Sequence, residues 1–139
     1  MRVKSIQDAR DRLGKRAADQ IEKALQADNK KIIASRTRNK YGNVKTERHG
    51  MEFDSILEAD VYDDLCRQYG KDSVICQVSV PLAKGKRIRP DFMVIHSRNN
   101  DGSFVASFID AKGRETAEWT AKANHFEDKY GIEILIRRK

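Results

Sequence analysis

Along residues 54–69 the apolar side chains Leu57, Val61, Leu65 and Tyr69, with Tyr62 beside them, recur three and four positions apart. That spacing predicts a helix with one buried stripe. Asp54 or Ser55 can cap its start, and Gly70 can stop it. A first amphipathic helix is predicted over 5–27, where Ile6, Ala9, Leu13, Ala17, Ile21, Ala24 and Leu25 line one side. Gly14 lies inside it, at a cost of about 1 kcal/mol relative to Ala. A third helix runs from Thr116 to Tyr130, with Trp119, Ala123, Phe126 and Tyr130 on a narrow face and Gly131 at its end. On that helix His125 projects away from the face, toward solvent.

Between the second and third helices the pattern changes to short apolar runs bounded by turn residues, which read as strands. They cover 74–82, with Gln77 inside, then 87–95, with Pro90 inside, and 104–109. Lys84-Gly85-Lys86 forms the first turn and residues 97–102 the second. Pro90 cannot donate to a ladder, so an edge or a bulge is expected beside Asp91. The last run, 132–136, follows the third helix, and a strand, helix, strand crossover makes it parallel to the strand before it. A small hairpin over 44–53, broken at His49-Gly50, completes the expectation.

Two positions do not suit this pattern. Glu58 falls near the middle of the buried stripe of the second helix, where a carboxylate is costly unless it meets a cation or a cationic side chain. The antiparallel pairing of the strands on either side of 97–102 also brings Asp91 toward Asp110. Two carboxylates drawn together shift their ionisation unless a cation lies between them. Asp110 and Lys112 project to the same side of their strand. They form either a solvated ion pair at a strand end or part of a site in which oxygen ligands take Mg²⁺ and the lysine orients a water.

Charge adds a partner. The 139-residue chain carries a formal net charge of +7, and residues 1–50 hold 14 Lys/Arg against 6 Asp/Glu. Within 29–50, Lys30, Lys31, Arg36, Arg38, Lys40, Lys45 and Arg48 face only Glu47, the composition of an arm that contacts phosphates. Lys84, Lys86, Arg87 and Arg89 add cations near the carboxylates. Arg87 and Arg89 can hold phosphate, or equally Glu58 or Asp91. No stretch approaches the roughly 20 apolar residues that cross a bilayer, and no apolar signal core follows the first residues, so a cytosolic protein is expected. Cys66 and Cys76 lack the paired spacing of a zinc site and read as reduced thiols.

Taken together, the order from residue 54 is helix, three-strand meander, helix, strand. With Glu58 on the first helix, Pro90-Asp91 on the second strand and Asp110-Ala111-Lys112 on the third, it resembles the PD-(D/E)XK nuclease superfamily. Within it, Phe53-Asp54-Ser55 with Glu58-Ala59, Arg89-Pro90-Asp91-Phe92, Asp110-Ala111-Lys112-Gly113 and residues 129–134 are similar to a group of small phage-encoded endonucleases. That group is in turn similar to the phage and bacterial Holliday-junction resolvases. The resemblance covers about residues 41–139.

It implies an α/β fold, with a restriction-endonuclease-like αβββαβ core over 51–139 and a mixed sheet. Preceding the core are a helix over 1–28 for packing or dimerisation and a basic arm or linker over 29–50. It also implies that Glu58, Asp91, Asp110 and the carbonyl of Ala111 bind Mg²⁺ or Mn²⁺ and that Lys112 positions water. The expected function is metal-dependent DNA cleavage, selective for branched or junction DNA, by a homodimeric phage protein in the host cytoplasm. The alternatives are a nicking or general duplex endonuclease and a DNA-binding module without turnover.

Overall fold

Residues 92–95, Phe-Met-Val-Ile, are all buried, so the strand that carries them is covered on both faces. In the computed structural model, which describes residues 1–26 and 45–138, this strand is β7 (Phe92–Arg98) of the set β1 (Arg2–Val3), β2 (Thr46–Arg48), β3 (Met51–Phe53), β4 (Val74–Cys76), β5 (Val80–Pro81), β6 (Arg87–Ile88), β7, β8 (Phe104–Ala111) and β9 (Ile134–Arg137). The helices are α1 (Ile6–Leu13), α2 (Lys15–Gln26), α3 (Ile56–Tyr69) and α4 (Ala117–Tyr130). The fold of the described residues is mixed α+β.

β7 and β8 form the central antiparallel hairpin, with Phe92 opposite Ile109 and a register shift between Ile95 and Ser97. Its turn is closed by side chains: Asn99 Nδ2 donates to Ser103 Oγ at 2.7 Å, and the Ser103 amide donates to Asp101 Oδ1 at 2.9 Å. β4 pairs antiparallel with the other side of β7. The free side of β8 is shared end to end by β1, which is antiparallel, and β9, which is parallel from Phe108 opposite Ile134 to Ala111 opposite Arg137. The expected direction of the final strand is thus observed.

The period of two along these strands sorts the core into two clusters. Met93, Ile95, Ala106 and Phe108 pack with Ala9, Leu13, Ala17, Ala18 and Ile21 of α1 and α2 and with Phe126 of α4. Phe92, Val94 and Ile109 pack with Ala59, Val61, Tyr62 and Leu65 of α3 and with Phe53 of β3. Fully burying each such large apolar side chain contributes about 1.5–3 kcal/mol. The amino-terminal helices therefore cover their own domain's sheet.

Three expected elements are broken. The helix over 5–27 divides at Gly14, whose φ of 88° and ψ of 163° belong to a region open essentially to glycine alone. Its amide caps α1 on the Arg10 carbonyl at 3.0 Å. The strand over 74–82 breaks at Gln77, where φ is 55°. The strand over 87–95 ends at Ile88 and resumes at Phe92, because Pro90 interrupts the ladder. β5 and β6 form instead a separate two-stranded ribbon, turned at Lys84 and Gly85, both at positive φ. His125 is half-buried rather than solvated.

The hairpin β2–β3 turns at His49 and Gly50, φ 54° and 72°. It is fastened to α3 by Arg48, whose Nη1 lies 2.6 Å from Asp60 Oδ1 and 2.7 Å from Asp63 Oδ2. Asp60 and Asp63 are half-buried in these contacts.

Candidate active site

Antiparallel pairing of Phe92 with Ile109 sets Asp91 across from Asp110 at the end of the hairpin. The two strand ends are joined twice. The Asp91 amide donates to Asp110 Oδ1 at 3.1 Å, and the Ala111 amide donates to Asp91 Oδ2 at 2.8 Å. Asp110 is only 1% exposed. Lys112, on the same side of β8, brings Nζ to 3.4 Å from Asp110 Oδ2 and lies 5.6 Å from the centre of the Trp119 ring on α4. The ring face and the carboxylate together hold the ammonium in place.

Glu58 reaches this place from the first turn of α3. Ser55 caps the helix, its Oγ accepting from the Glu58 amide at 3.1 Å, and the side chain of Glu58 turns back toward the Asp54 backbone. The sequence Ser55-Ile56-Leu57-Glu58 has the form of a capping box, which keeps Glu58 at the helix start. Glu58 is 6% exposed. The groups that act on it most among the described residues are Asp54, the Gln77 side chain and Asp110.

Gln77 occupies the break after β4. Its amide donates to the Asp91 carbonyl at 2.8 Å, while its side chain lies beside the Glu58 carboxyl. Gln77 and Asp54 are members of the cluster that helical and strand periodicity did not single out. The Ser-x-x-Glu box was the available sequence signal for Asp54; a left-handed Gln inside an apolar run left none.

Crowding of acids dominates the electrostatics. Burial, then the charge of Asp54, raises the Glu58 carboxyl above the ordinary carboxylate range, and the Gln77 side chain and the Asp54 backbone oppose this. Asp91 is pushed up further: by burial, by its hydrogen bond to Asp110, and by the charges of Asp110 and Glu58, against the Ala111 amide. Burial, then the Glu58 charge, pushes the neighbouring Cys76 thiol up to about 12. Keeping a proton on Asp91 relieves this repulsion, and a divalent cation can take the place of that proton.

The donor chemistry suits such a cation, since hard carboxylate oxygens are what Mg²⁺ and Mn²⁺ take. The side chains are nevertheless not closed around one point. Among the described residues no group of three or more His, Cys, Asp or Glu is spaced to hold a metal ion. Asp91 and Asp110 each commit an oxygen to a backbone amide, and Ala111 meets the cluster through its N–H.

The expected phosphate contacts divide into three sets. Lys30, Lys31, Arg36, Arg38 and Lys40 lie outside the described residues. Lys84 and Lys86, on the β5–β6 turn, and Arg89, two residues before Asp91, are exposed. Three others are engaged within the protein, Arg48 with Asp60 and Asp63 of α3 as described above. Lys45 Nζ pairs with Glu52 across the hairpin at 2.7 Å. Arg87 donates to Ser79 Oγ and to the Ser79 carbonyl at 2.7 and 3.0 Å, and so is not paired with Glu58 or Asp91. Among the described residues no helix is long and apolar enough to cross a membrane.

Fold and site together thus define an α+β domain with a buried, lysine-flanked carboxylate cluster at one end of its sheet. No family model matches the chain, and neither does any curated protein or solved structure.

Proposed function

We propose that this chain is a metal-dependent DNA endonuclease of the PD-(D/E)XK type, built on a restriction-endonuclease-like core and selective for branched DNA such as four-way junctions. The observation that carries the reading is the convergence of Glu58, Asp91 and Asp110 from three separate segments, with Lys112 as the one cation in contact among the described residues. A structural ion pair needs only one acid for one base, and this excess of buried acid asks for further positive charge.

Glu58, Asp91, Asp110 and the Ala111 carbonyl would hold Mg²⁺ or Mn²⁺, which when bound stabilises charge on a phosphate and acidifies a water. Lys112, steered by Trp119 and Asp110, orients that water for in-line attack. Lys84, Lys86 and Arg89 neutralise flanking phosphates, so affinity for DNA falls as salt rises.

A second reading is favoured by one observation. The amino-terminal helices, expected to serve packing or dimerisation, bury their apolar faces in their own domain. A monomeric enzyme that nicks or cuts ordinary duplex fits that burial, whereas symmetric junction cleavage suits a dimer. A cleavage assay with Mg²⁺ on four-way junction, Y-fork, duplex and single-stranded DNA separates the two. Paired symmetric nicks confined to the junction support resolution; equal cutting of plain duplex supports the second reading.

A further inference from the structure

We propose that Gln20, on α2, is a positioning residue of the carboxylate cluster, an inference that rests on the nuclease reading above. Both ends of its side-chain amide are used on the same short segment. Gln20 Oε1 accepts from the Ser79 amide at 2.9 Å, and Nε2 donates to the Gln77 carbonyl at 3.2 Å. Val78 between them is buried under the same helix pair.

The clamp holds a costly conformation. Gln77 has φ 55°, in the left-handed region that a side-chain-bearing residue adopts only at a cost. That backbone lets Gln77 act in two directions, its amide on the Asp91 carbonyl at 2.8 Å and its side chain on Glu58. Glu58 comes from the helix on one side of the sheet, and Gln20 from the helix pair on the other. Gln77 is the link between them, so Gln20 sets how far Glu58 stands from Asp91. Metal ligands must be held to within about 0.5 Å, and loss of a residue that orients them typically costs about 10–100-fold in affinity or rate.

The test uses Gln20→Met, which preserves side-chain length and removes both hydrogen bonds, and Gln77→Asn, which tolerates the left-handed turn but is too short to reach Glu58. Full-length variants are checked for folding by circular dichroism, then compared for Mn²⁺ binding by electron paramagnetic resonance, for junction binding in EDTA, and for kcat and KM. The expected result is about tenfold weaker Mn²⁺ binding and about tenfold lower kcat in both, with unchanged KM and unchanged DNA binding. Parent-like Mn²⁺ affinity and kcat in the folded variants overturn the role of Gln20. If Gln20→Met does not fold, Gln77→Asn decides alone, and its parent-like behaviour overturns the link. A parent protein that neither binds Mn²⁺ nor cuts DNA overturns the nuclease reading, and this inference with it.

Discussion

Asp91 is the residue at which fold and chemistry conflict most. Its carboxyl holds a proton to higher pH in the folded chain than in the unfolded one, from burial and from Asp110 and Glu58. The sign of the linkage follows: its contribution to stability is unimpaired below the ordinary carboxylate range and is lost as pH rises through that range toward the raised folded value. Asp91→Asn removes the titration while keeping an acceptor for the Ala111 amide. Without divalent cation the variant should melt higher than the parent at pH 7, with the gain shrinking toward pH 4; with saturating Mn²⁺ the parent should recover the advantage. Thermal melts at the two pH values check this, and a variant less stable than its parent at both, without metal, contradicts it. Glu58 and the Asp91–Asp110 approach were legible in the sequence, because a helical stripe and a strand pair fix which residues meet. Gln77 and Gln20 were not, since side-chain periodicity says nothing about a residue whose role depends on a left-handed backbone.

At the scale of elements, the breaks carry the information. Ala9, Leu13, Ala17 and Ile21 continue a spacing of four straight through Gly14, so the apolar pattern hides the point where one helix becomes two. Gly14 itself was the one signal. A Cβ there would meet Pro81 Cγ at 3.2 Å, on top of the unfavourable backbone. Gly14→Ala should therefore lower stability by about 1–3 kcal/mol, measured by urea unfolding; an unchanged or raised midpoint would show that the corner can rearrange into a continuous helix. Pro90 gave its break openly, by its missing donor. Gln77 gave none, because apolar residues flank it on both sides.

For the whole molecule, the informative finding lies where the proposed core stops. The proposed nuclease core lies within residues 51–139, yet the sheet face formed by Met93, Ile95, Ala106 and Phe108 is covered by α1 and α2 as well as α4. Removing residues 1–26 should expose that face and yield a chain without cooperative unfolding; a truncated protein with a sharp, native-like melt would instead make the helices an addition to an independent core. Sequence gave the amphipathic face but not its partner, since an apolar stripe fits its own sheet or a second subunit equally well. The central claim is that the three carboxylates and Lys112 form a catalytic centre. Asp110→Ala tests it most directly, with Mg²⁺-dependent cleavage and DNA binding in EDTA measured on the same four-way junction. The account predicts that the parent cuts and the variant does not, while both bind the junction alike. A variant that cuts as fast as the parent contradicts it.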